Sequence, residues 1–126
     1  MKSGIYLIFI LLILSCSKNK DTTPPTLRLI SPKENDTLNA QKSEYNIEFE
    51  ANDETSLFKE YLKIIDEQGN ILTTEERSIY GSNYSYSNTF NFGGTSGKIK
   101  KLFLIISIED SGYNKIEKSI PFSVKL

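Results

Sequence analysis

Two groups of side chains in this 126-residue chain have the types and spacing to do chemistry. The first is acidic: Asp21, the run Asn52-Asp53-Glu54 and the pair Glu109-Asp110 all fall in turn-rich stretches between apolar runs. Carboxylates, an asparagine and backbone carbonyls are the hard oxygen ligands that Ca²⁺ takes. If Asp21, Asp53, Glu54 and Asp110 gathered at one place they would offer a calcium site, although their spacing is not that of an EF-hand loop. The same residue types also serve turns, where they hydrogen-bond their own backbone. The second group is aromatic. Tyr80, Tyr84 and Tyr86, with serines and asparagines between them, could stack on the apolar faces of sugars while a phenol hydroxyl reaches a polar group. Against that, Tyr84, Tyr86, Phe90 and Phe92 alternate with Ser85, Ser87, Thr89 and Asn91, which is how a strand buries an aromatic face.

Absences narrow the chemistry further. There is no histidine and no tryptophan. Without imidazole a Ser-His-Asp or Cys-His nucleophile cannot be assembled, and zinc, copper and non-haem iron sites lose their main nitrogen ligand. The single cysteine, Cys16, has no partner in the chain for a disulfide or a thiolate cluster. Glu75 and Glu76 are adjacent carboxylates, but neighbours on a strand point to opposite faces and cannot converge on one bond. The expectation is a non-enzymatic protein. Fifteen Lys and Arg against 16 acids, with no basic block, give nothing to neutralise a run of phosphates, so nucleic acid is a poor partner.

Cys16 lies where its chemistry is explained. Lys2 precedes an unbroken apolar run of ten residues, 5–14 (IYLIFILLIL), about half of what a bilayer-spanning helix needs. That is the length of a signal-peptide core. The following Ile13-Leu14-Ser15-Cys16 resembles the bacterial lipobox: aliphatic at −3, small at −1, cysteine at +1. The resemblance implies cleavage after residue 15, a lipidated Cys16 and anchorage in a bacterial envelope. Removing Lys2 with the leader leaves 14 bases against 16 acids, a net charge near −2. Residues 17–25 (SKNKDTTPP) read as a polar tether that reaches about 30 Å at full extension. Ser17 lacks the aspartate that marks inner-membrane retention in enterobacterial lipoproteins, which by analogy favours the outer membrane.

Beyond the tether, about 100 residues suffice for one domain with a modest core. Short β-type runs separated by turn residues cover 26–30, 45–51, 57–66, 71–80, 84–92, 101–109 and 116–126, and no stretch sustains a helical period. Residues 33–43 read as a polar loop. The run 101–109 (KLFLIISIE) is the most apolar and fits a central strand, with Leu102, Leu104, Ile106 and Ile108 facing the core and Phe103 and Ile105 on the reverse side beside Tyr61 and Ile65. Pro121 places the last strand at an edge or a bulge. About seven strands at this spacing predict an all-β, two-sheet antiparallel sandwich over residues 26–126, with a partly open barrel as the rival.

The Asp-Thr-Thr-Pro-Pro-Thr lead-in at 21–26, Ser31-Pro32 after the first strand, Asn52-Asp53-Glu54 after the second and Glu109-Asp110-Ser-Gly-Tyr-Asn114 before the last resemble bacterial Ig-like domains. These include a group carried on Bacteroidota lipoproteins. The resemblance spans roughly residues 21–126 and implies an immunoglobulin-like scaffold without the buried Trp and paired Cys of antibody domains. In that strand order the acidic loops meet at one pole. The function expected from all this is an envelope-anchored module that contacts an envelope or surface protein, with a carbohydrate-binding lipoprotein as the alternative.

Overall fold

The computed structural model describes residues 19–39, 45–93 and 95–126. Eight strands follow in order: β1 (Thr26–Ser31), β2 (Thr37–Asn39), β3 (Tyr45–Asn52), β4 (Leu57–Asp66), β5 (Ile71–Ser78), β6 (Asn83–Phe90), β7 (Ile99–Asp110) and β8 (Lys115–Lys125). No helix occurs among the described residues, so the fold is all-β. The strands form two sheets, β1-β3-β6 and β2-β8-β7-β4-β5. All ladders are antiparallel apart from the short β2–β8 pairing.

Period-two alternation places the core between the sheets. From the three-stranded sheet come Leu27, Ile47, Phe49, Ala51 and Tyr86; from the other come Leu62, Ile64, Leu102, Leu104, Ile106, Ile108, Phe122 and Val124. β7 holds the central position its composition predicts, paired with β4 on one side and β8 on the other. The segment expected to be a plain loop contributes β2, which continues the larger sheet through Thr37, Leu38 and Asn39 against Ser123, Val124 and Lys125. Pro121 lies just before that pairing begins, opposite Phe103 of β7. Its carbonyl accepts from Asn35 N–H at 2.7 Å. Since N–H and C=O of one strand residue point to the same side, the donor that proline lacks would have faced away from β7, and the β7–β8 ladder loses nothing.

β4 contains a register break between Leu57 and Lys59. Leu57 is buried before the break; after it the inward set becomes Glu60, Leu62 and Ile64. The shift of phase sends the Glu60 carboxylate into the interior.

Candidate functional site

The acidic residues converge at one pole. The β3–β4 loop folds around Asp53, whose Oδ2 accepts from Thr55 N–H at 2.8 Å, Ser56 N–H at 2.9 Å and the Thr55 hydroxyl at 2.7 Å. The same hydroxyl lies 2.7 Å from Asp21 Oδ2, while Asp21 Oδ1 accepts from Thr23 N–H at 2.9 Å. In the β7–β8 turn, buried Asp110 accepts from Asn114 N–H at 2.8 Å and from Asn114 Nδ2 at 2.9 Å. Asn114 Nδ2 also reaches the Asp21 carbonyl at 3.1 Å. One carboxylate oxygen from each of Asp21, Asp53 and Asp110 falls within 4.8 Å of the others. The bonds from Thr23 N–H and then the Thr55 hydroxyl hold the Asp21 carboxyl below its ordinary range.

Glu54 is exposed and stands outside this trio, on the rim of a shallow cleft with Thr23, Pro24 and Asn52. Glu109 sits in register with Lys59 and Lys115. The pole is thus a set of carboxylates that accept from loop N–H and hydroxyl groups, the turn chemistry of Asp and Asn. It also fastens the chain before β1. Pro25 is buried and Asp21 is tied to two loops, so residues 21–25, read from composition as part of the tether, rest against the domain.

The three tyrosines separate. Tyr80 stands 77% exposed in the β5–β6 connection, whereas Tyr86 is buried and stacks on Phe49 with centroids 4.7 Å apart. Tyr84 is half-buried and tilted against Phe49 at 6.3 Å. They form no common platform; Tyr84 and Tyr86 belong to the inner face. On the outer face of the larger sheet, Tyr61, Ile65, Phe103 and Ile105 are half-buried, with Ile65, Phe103 and Pro121 in one cross-strand row.

A third constellation lies on the flank where β5 and β6 face each other across the two sheets. Glu60 is fully buried, opposite Ile108 of β7 and Arg77 of β5. The Tyr84 hydroxyl donates to its Oε2 at 3.4 Å, Arg77 Nε stands 4.0 Å away, and Oε1 has no partner. Arg77 bonds instead to Glu75 at 2.7 Å and lies over the Tyr86 ring at 5.1 Å. Glu75 also accepts from the Tyr86 hydroxyl at 2.9 Å and from Asn88 Nδ2 at 3.2 Å. Burial pushes the Glu60 carboxyl up to about 7, a rise that Arg77 partly opposes. Burial likewise raises the Tyr84 and Tyr86 phenols.

Sequence reasoning missed this group. Its signal was the alternation Glu60, Leu62, Ile64, masked by the apolar residues on both faces of β4. Cys16, expected to carry the lipid, and the apolar run before it lie outside the described residues. Among the described residues no helix is long and apolar enough to cross a membrane. No protein-family model matches the chain and no curated protein is found to be similar to it.

Proposed function

We propose that this chain is a non-enzymatic lipoprotein, held at the bacterial outer membrane through Cys16, whose domain is an Ig-like module for contacts with another envelope or surface protein. The observation that carries the reading is the attachment of Asp21, five residues after Cys16, to the domain. The polar residues after Cys16 end at Asp21, which is bonded to both the β3–β4 loop and the β7–β8 turn. The remaining spacer reaches less than about 20 Å at full extension, so the acidic pole faces the membrane and the sheet edges and the opposite end face outward. Strand order supports the Ig-like reading: the first, third and sixth strands share one sheet, and the fourth, seventh and eighth lie side by side in the other. The missing imidazole and the turn bonding of the acidic pole support a non-catalytic role.

The test is fractionation with fatty-acid labelling. The unaltered chain is expected to incorporate label and pellet with membranes, and Cys16→Ala to lose both. A Cys16→Ala variant that is processed and membrane-held like the parent overturns the anchor. Cross-linking in intact envelopes is expected to trap a defined protein. The convergence of Asp21, Asp53 and Asp110 favours a second, narrower reading, Ca²⁺ at the membrane-facing pole. An unchanged melting temperature in millimolar CaCl₂ removes it. The carbohydrate alternative now rests on Tyr80, and a glycan array with the Tyr80→Ala variant as control decides it.

A further inference from the structure

Among the described residues the two sheets leave four edges: β1 and β6 in one, β2 and β5 in the other. Exposed edges are templates for another strand, and proteins blunt them with charge, proline, bulges or shortness. Three of these edges are blunted. β1 carries Arg28, breaks register between Leu29 and Ser31 and runs into Pro32. β2 is three residues long. β5 presents Glu75, Glu76 and Arg77, and its pairing with β4 shifts between Ile64 and Ile65.

β6 has none of these devices. Its eight residues, NYSYSNTF, include no charge and no proline, and they pair with β3 in an unbroken register from Asn83 to Phe90. Asp53 N–H bonds to the Ser82 carbonyl at 2.9 Å where β3 and β6 begin to pair, so the even-numbered residues of β6 face β3 and Thr89, whose N–H is bonded to Asn88 Oδ1 at 2.9 Å, is directed outward. By the alternation of an antiparallel ladder, Ser85 and Ser87 also send their N–H and C=O groups to the open edge.

Next to that edge the two sheets part. A cleft of about 340 Å³ opens between β5 and β6, walled by Leu72, Thr73, Phe90, Phe92 and Lys100. Leu72 is 38% exposed there. Further along the same flank the gap is closed by the Glu75, Arg77, Tyr86 and Asn88 network.

We propose that β6 is a docking edge: an extended segment of a partner protein adds to it as a fourth strand and lays one apolar side chain in the adjoining cleft. This rests on the interaction-module reading above and names its surface. Main-chain bonds to Ser85 and Ser87 would supply affinity, and the cleft and Arg77 would supply selectivity, which is how strand addition works elsewhere. Thr73 and Arg77 are separated by about 13 Å along β5. The fitting segment therefore carries an apolar residue and, four positions away, a residue that accepts a hydrogen bond. A lone strand fits better than a second copy of this chain. In a β6–β6 pair the inward side chains of the second copy, Tyr86 among them, are already committed to its own core, and the cleft would stay open.

The probe is a phage-displayed library of random eight-residue peptides selected on the full chain, followed by titration of the enriched peptides. Enrichment of an apolar residue four positions from an acceptor is expected. Ser87→Pro removes an edge amide without touching the β3 ladder, and it and Ser87→Lys are each expected to weaken binding at least tenfold at unchanged circular dichroism. Leu72→Glu should do the same for peptides with the apolar residue, and N-methylation of alternate peptide amides should abolish binding in one phase only. Peptides that bind Ser87→Pro, Ser87→Lys and Leu72→Glu within twofold of the parent would move the contact elsewhere and overturn the edge, leaving the module reading intact. A dimer that Ser87→Pro converts to monomer would assign the edge to a second copy and overturn the lone strand. No enriched peptide overturns the proposal, and if cross-linking also traps no protein, the module reading falls with it.

Discussion

Glu60→Gln isolates the cost of holding a carboxyl between the sheets. Glu60 is fully buried, faces Tyr84, Arg77 and Glu75, and leaves Oε1 without a partner. Because Arg77 is engaged by Glu75 at 2.7 Å and stands 4.0 Å from Glu60, burial dominates and raises the carboxyl from 4.5 to about 7. An acid whose folded-state value is raised binds its proton more tightly in the folded chain. Stability is therefore full at acid pH and is lost as pH rises from 4.5 through about 7. The slope approaches about 1.4 kcal/mol per pH unit, and the whole loss is about 3 kcal/mol. For a domain of this size that is on the order of 10 °C in melting temperature. Asp21 and Asp66, whose carboxyls are lowered by hydrogen bonds, destabilise the fold only when pH falls through their range, so a window from pH 5 to 8 avoids them. Thermal and urea unfolding followed by circular dichroism across that window should show the parent weakening and Glu60→Gln nearly flat and more stable at pH 8. Parent stability that is level or rises from pH 5 to 8, or a glutamine variant that parallels it, would refute the reasoning.

Other consequences can be measured alongside. Tyr86→Phe keeps the stack on Phe49 but loses the 2.9 Å bond to Glu75, so urea denaturation should show a loss of about 1 kcal/mol; Tyr86→Ala also opens a cavity and should lose about 3–5 kcal/mol. A methyl at Gly112 would sit 3.1 Å from both the Asp21 carbonyl and Asn114 Nδ2, so Gly112→Ala should loosen residues 21–25 and speed limited proteolysis there. Gly93→Ala, which meets open space, should leave that proteolysis unchanged. Lys118 Nζ donates to the Leu27 carbonyl at 2.7 Å across the flank opposite Glu60, and Lys118→Met should cost about 1 kcal/mol in the same denaturation assay.

Patterns with a period of two were legible along the chain because burial of one face writes them directly into each strand. The alternation of Leu102, Leu104, Ile106 and Ile108 was enough to make β7 central, and the expected strands from 26–30 through 116–126 recur with ends moved by a few residues. The meeting of Asp21, Asp53 and Asp110 was expected only through the strand order that the Ig-like resemblance implies, and Glu54, expected with them, stays outside. What could not be read was anything set by phase or by pairing between distant segments. The break after Leu57 turns Glu60 inward, and no local pattern announces a bulge inside a run that is apolar on both faces. β2 exists because β8 offers its edge, not because TLN prefers a strand. Lys118 shares the phase of Ile116 and Ile120 on β8 but is exposed at the flank, where its ammonium meets the Leu27 carbonyl. The amino-acid order by itself determined the β class, the candidate anchor at Cys16 and the absence of imidazole chemistry, since these depend on residue type and near-neighbour spacing. Which tyrosines are covered, where a carboxyl is buried and which edge is left unprotected were decided by the packing of two sheets, because each depends on what a residue meets across the core.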